Sequence, residues 1–529
     1  MANRSVMTHQ FSRVPQAQIP RSSFNRSHGW KGTFDAGELI PVFWDEGLPG
    51  DTFNLRMTGF GRLATPLHPF MDNMFMESFF FKIPYRLLWD NWEKFNGAQD
   101  DPGDSTDFTL PSYTYSGSGL AEASLYDYFG LPTGVTDMTF CTLPLRAYNL
   151  TYNQWFRDEN LQDSVPFRKS DGGDNFADFV VRKRGKRHDY FTSALPWPQK
   201  GTEVKLPLGT TAPVQGIGAV SDPTFSTATG VRETDGTTPT YAFSVPVSTG
   251  VAALHFETDS QTAGSWIPQI YADLANATAA TINQLRQSFQ IQRLYERDAR
   301  GGTRYTEIVR SHFGVISPDA RLQRVEYLGG GSSRINVNPV AQTSETNASV
   351  TPQGNLAAFG TVNLNGHGFT TSFTEHCIVL GLVCVRADLN YQQGMNRAWS
   401  RSTRWDMYWP ALAMIGEQSV LNKEIYMDGS ANDELVFGYQ ERYAEYRYKP
   451  SVITGAFRSN AATSLDTWHL AQDFAALPVL NDVFIQEDPP VDRVIAVPSE
   501  PHMLFDAYFD FKCARPMPLY GVPGMIDHF

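Results

Sequence analysis

The densest run of side chains able to do chemistry is RKRGKRHDYF, where Arg182, Lys183, Arg184, Lys186 and Arg187 lead into His188, Asp189, Tyr190 and Phe191. Guanidinium forks grip phosphates or carboxylates through paired hydrogen bonds, and flat rings accept stacked bases. Cations beside aromatics are therefore what single-stranded nucleic acid requires. The same run fits a socket for carboxylates of a neighbouring subunit, so DNA contact and subunit contact both stand for these five residues. A second basic set, Arg4, Arg13, Arg21, Arg26 and Lys31, precedes the first acid, Asp35. That charge pattern predicts a basic, proline-punctuated arm over 1–34, a candidate for DNA binding, on a body that makes the whole chain acidic at -13. The loop QDDPGDSTD offers Asp100, Asp101, Asp104 and Asp107 to a hard cation. It lacks a calcium-loop spacing, so a solvated turn is expected and a structural divalent cation is the alternative.

Catalytic constellations are missing from the sequence. No GxSxG, HExxH or Walker pattern occurs. His376 sits beside Cys377, but in SFTEHCIVLGLVCV both flank a core strand, where a thiol is packed and inert. The four cysteines, Cys141, Cys377, Cys384 and Cys513, form no CxxC pair, which argues against a disulfide framework or structural zinc. The acids are scattered through turns, so no pair of opposed carboxylates can be assigned. A carbohydrate-binding or glycoside-cleaving β-sandwich is the alternative to a binding protein. The N-terminus reads as no signal peptide, and synthesis in a reducing cytosol is expected. No catalytic residue, metal ligand or cofactor is assigned.

The elements that must hold these groups come from periodicity. Aromatics reach 13%, charged residues only 19%, and 42 Gly with 33 Pro are spread along the chain, the profile of a loop-rich β protein with sticky surface. In MFMESFFFKI, Phe75, Phe79 and Phe81 share a strand face, and Glu77 shares it too, as a strand-end carboxylate with a local partner. LFDAYFDFKC alternates from Phe505 to Cys513 as a half-buried strand. Tyr148, Tyr152, Trp155 and Phe156 mark an amphipathic helix. Over 281–334 two helices are expected, the first gripped from two sides, broken at Gly301 and Gly302. The second is capped by Thr303 and runs to Gly314. Gly329 to Gly331 reads as a hinge or loop. Residues 202–265 turn to Thr, Ser, Gly and Ala, as in an inserted protrusion of short strands. Trp399, Trp405, Tyr408 and Trp409 among Arg397, Arg401 and Arg404 favour subunit packing over base stacking. The tail over 514–529 is expected to run extended.

Several long blocks resemble one family. They are INQLRQSFQIQRLYERDARGGTRYTEIVRSHFGVISPDARLQRVEYLGGGS, TFDAGELIPVFWDEGLPGDTF, LPLRAYNLTYNQWFRDENL, RKRGKRHDYFTSALPWPQKG, FGYQERYAEYRYKPS and the tail CARPMPLYGVPGMIDHF. In this order they are similar to the major capsid proteins of gokushoviruses, small single-stranded DNA phages of the Microviridae. The resemblance implies a mainly β fold, an eight-stranded antiparallel viral jelly roll with large loop and helical insertions over 35–529. It further implies no enzyme but a T=1 icosahedral shell of copies of this chain around circular single-stranded DNA, assembled in the bacterial cytoplasm. Internal scaffolding, DNA pilot and small DNA-binding proteins, and a host receptor met by the insertion, would be the partners.

Overall fold

The computed structural model describes residues 20–205, 282–316, 323–345, 347 and 352–520, with short strands at 214–215, 217–220, 253–256 and 271–272. Nine strands make one antiparallel sheet: β1 (Ser22–Asn25), β2 (His28–Phe34), β3 (Ile40–Gly47), β4 (Thr52–Leu63), β5 (Met74–Pro84), β6 (Glu326–Ala341), β7 (Leu356–Ser372), β8 (Cys377–Ala387) and β9 (Met503–Arg515). β1 and β2 are one interrupted strand, for both lie along β9, with Ser22 opposite Arg515 and Phe34 opposite Met503. Counted so, eight strands run β1/β2, β9, β4, β7, then β6, β5, β8, β3.

β6 turns the corner: Glu326–Ile335 pair with β5, whereas Asn336–Ala341 pair with β7. One sheet thereby curls into two layers with first and last strands adjacent. That is the expected jelly roll. Residues 85–325 enter between β5 and β6, and residues 388–502 between β8 and β9.

The two layers close on Phe43, Phe53, Phe80, Phe509 and Phe511 among aliphatics. Along β9 burial alternates without a break until Cys513, as the sequence pattern predicts. β8 is buried at every position. Val379, Val383 and Val385 enter the interlayer core, while Ile378, Leu380, Leu382 and Cys384 face a second core built with Trp89 and Tyr148 of the first insertion. A strand wedged between two cores has no polar face, hence its uninterrupted apolar run.

Four expectations change. From Ser22 onward the supposed arm is sheet, because its backbone pairs antiparallel along the edge of β9; residues 1–19 lie outside the described residues. Gly329 to Gly331 is no hinge but the middle of β6. A Cβ on Gly330 would lie 2.0 Å from the Ser78 carbonyl oxygen, and one on Gly331 would meet the His367 ring at 2.6 Å. Glycine is needed there for close strand approach. Third, the residue ahead of the second helix, α3 (Tyr305–Phe313), is Arg304 instead of Thr303, though Gly314 closes it in the left-handed region at φ 68 as expected. Fourth, the inserted unit is wider than 202–265. Gln199–Arg300 form a compact body, which includes the helix α2 (Ile282–Arg300). Of its expected strands, Ala253–Phe256 pairs with Ile217–Val220, while Tyr241 to Val245 lies outside the described residues. On α2 Ile282 and Phe289 are exposed and Ala299 alone is buried among its described side chains, so the two-sided burial expected of it is not seen among the described residues.

Candidate assembly and nucleic-acid surfaces

The expected helix, α1 (Leu143–Thr151), continues through a widened, π-type turn at Tyr152–Phe156. Arg146 anchors it, fully buried against Asp174 at 2.7 Å. The turn delivers Trp155 and Phe156 onto Phe79 and Phe81 of β5. These β5 rings do share a face with Glu77, as alternation predicts.

Glu77 is not at a strand end, however, nor is its partner local. It lies mid-strand, 5% exposed, under three guanidinium groups. Arg386 donates from β8 at 2.7 Å, Arg187 at 2.8 Å, and Arg184 completes the ring of charge. Burial alone would raise this carboxyl; the charge of Arg184 and the hydrogen bonds from Arg386 and Arg184 outweigh it and hold it at about 2. The sequence placed Arg184 and Arg187 among candidates but missed Arg386, because only the register of β8 on β5 brings it within reach.

The other candidates distribute as follows. Arg4 and Arg13 lie outside the described residues. Arg21 donates to the Thr52 hydroxyl at 2.5 Å, Arg26 pairs with Asp45, and exposed Lys31 lies 3.4 Å from Asp506. Arg182 donates to the Asp178 carbonyl and Lys183 pairs with Asp488 at 2.8 Å. Lys186 is buried, donating to the Phe484 carbonyl at 2.7 Å above its ring. Burial pushes its ammonium below the ordinary lysine value. So the basic run is brought together, largely onto the chain's own acceptors.

Lys94 occupies the acidic loop, 3.7 Å from Asp100 and 3.4 Å from Asp104, and Asp104 accepts backbone N–H groups of its own turn. Among the described residues no cluster of three or more potential ligands could hold a metal. Cys377 is buried and its thiol is pushed up to about 12, chiefly by desolvation. It packs as expected of a core residue.

An aromatic stretch of the second insertion is also exposed. Trp399 is 82% exposed and Met414 97%, with Trp405 and Ile415 also open to solvent. Arg404 lies 4.9 Å from the ring centres of both Trp405 and Trp409, holding the two indoles on one guanidinium. A monomer seldom exposes such a patch without a partner for it.

A jelly roll curled through one shared strand, enlarged by insertions that carry exposed aromatic side chains, is the architecture expected of a virus shell subunit. The chain matches the family described as "Capsid protein (F protein)" over residues 12–525. It is 49% identical to "Capsid protein VP1" of Bdellovibrio phage phiMH2K over 525 residues, 98% of each chain. It is 46% identical to the Chlamydia phage 1 protein of that name, again over 98% of both, and 37% identical to that of Spiroplasma virus 4 over 99% of both. The chain belongs to this capsid protein family, as a gokushovirus-type major capsid protein of the Microviridae. Membership implies self-assembly into a shell and a place in the virion, and points to a structural role.

Proposed function

We propose that the chain closes into a T=1 icosahedral shell around a circular single-stranded DNA genome of a bacteriophage, without catalytic activity of its own. The observation that carries this reading is the set of exposed large apolar side chains in the second insertion, Trp399 and Met414 among them, on a jelly roll of the capsid family, since such side chains suit burial between copies. Residues ahead of Ser22, with Arg4 and Arg13, would face the genome. DNA affinity per subunit would be weak and salt-sensitive, with avidity supplied by many copies. The insertion within Gln199–Arg300 would meet the host receptor, and internal scaffolding, pilot and small DNA-binding proteins would share assembly in the host cytoplasm. Negative-stain microscopy of purified full-length protein tests it: closed particles of one size are expected. A small soluble oligomer with a sugar-dependent melting shift would instead favour the carbohydrate-binding alternative. Deleting residues 1–20, ahead of β1, should lower DNA retention more than shell closure.

A further inference from the structure

Beside the Glu77 cluster opens a cavity of about 430 Å³, within the roughly 300–1,000 Å³ of ordinary small-ligand sites. Its walls are rings: Phe79 and Phe81 from β5, Trp155 and Phe156 from the widened turn, and Tyr327 from β6. Trp155 and Tyr327 have ring centres 6.0 Å apart and remain 45% and 43% exposed, while Phe81 between them is sealed. The indole of Trp155 is fixed, its N–H donating to the Val325 carbonyl at 2.9 Å.

Above these rings the rim is cationic. Arg157, Arg184 and Arg187 line it with His188. Glu77 is shared by three guanidinium groups, with Asp388 3.5 Å from Arg386, and the Arg187 side chain remains 57% exposed. The lining acid, Asp158, accepts the backbone N–H groups of Asn160 and Leu161 through one carboxylate oxygen. A flat apolar floor beneath a rim of guanidinium groups, of which Arg187 stays largely exposed and Arg157 donates to the Gln162 carbonyl, matches a ligand that is planar at one end and anionic at the other.

We propose that this cavity takes one unstacked base of single-stranded DNA, its ring against Trp155 and Tyr327 and an adjoining phosphate on Arg184 and Arg187. The proposal rests on the genome-packaging reading above. Every base has a π-face, so the site is tolerant of sequence; a duplex, whose bases face one another, is excluded.

The test measures binding of labelled oligomers to purified full-length protein. The probes are oligodeoxythymidylate, an abasic strand of equal length and a duplex, with a peptide ending in an aromatic residue and free carboxylate as competitor. Oligodeoxythymidylate should bind about tenfold or more tighter than the abasic strand, the worth of one stacked base. Trp155→Leu should erase that difference and Trp155→Phe retain most of it. Arg187→Gln should weaken both strands equally and flatten the salt dependence by about 0.7 in log–log slope. Equal binding of abasic and thymidylate strands, or an unchanged preference in Trp155→Leu, overturns the pocket and leaves packaging standing. Tight displacement by the peptide overturns it in favour of a protein ligand. If the protein retains no strand at all, the packaging reading falls with it.

Discussion

Replacing Glu77 by Gln removes the carboxylate that Arg184, Arg187 and Arg386 share, and its cost can be worked from two directions. Holding the carboxyl at about 2 instead of its ordinary 4.5 corresponds to roughly 3 kcal/mol in favour of the charged, folded form. Independently, the Arg386 side chain is 4% exposed and would keep only the half-exposed Asp388, 3.5 Å away; stranding a buried ion by removing its partner costs about 3–5 kcal/mol, so the lower end applies. Arg187, more than half exposed, rehydrates and adds little. A loss of about 3 kcal/mol at neutral pH is expected, read as the difference in denaturant unfolding free energy between wild type and variant at one protein concentration. The folded carboxyl is depressed, so its stabilisation is complete above about pH 4.5 and disappears as pH falls through 2. The difference between the two proteins must therefore shrink over that window. Adding Arg386→Met to Glu77→Gln should recover much of the loss, since the stranded charge goes with it. A cost below about 1 kcal/mol at pH 7, or a difference independent of pH between 4.5 and 2, would refute this account of the cluster.

Glu487 predicts the opposite slope. It is buried, and desolvation, only partly offset by the Ala387 N–H and the charges of Lys186 and Arg184, lifts its carboxyl to about 6. Stability should fall by roughly 2 kcal/mol as pH rises from 4.5 through 6, and Glu487→Gln should abolish that fall in the same assay. Gly330→Ala sets a Cβ against the Ser78 carbonyl and should cost at least about 1–3 kcal/mol as β5 and β6 part, measured by thermal melting; an unchanged melt would mean the strands have room. Trp399→Ser with Met414→Ser should leave subunit stability within about 0.5 kcal/mol yet abolish particles in sedimentation velocity. Particles of normal yield would exclude this face from assembly.

The sequence by itself determined which stretches became strands where burial repeats locally. The period of two in β9, the double-sided apolar run of β8 and the shared face of Phe75, Glu77, Phe79 and Phe81 are each set by residues within one strand, and long matching blocks carried the family. What only tertiary structure decided depends on pairing across hundreds of residues. Arg386 reaches Glu77 through the register of β8 on β5, and Gly329 to Gly331 becomes strand because β5 and β7 crowd it. Ser22 to Phe34 joins the sheet because β9, at the far end of the chain, offers an edge to cover. Local periodicity reports which way a side chain points; what it meets there is fixed by distant segments, which a linear pattern cannot encode.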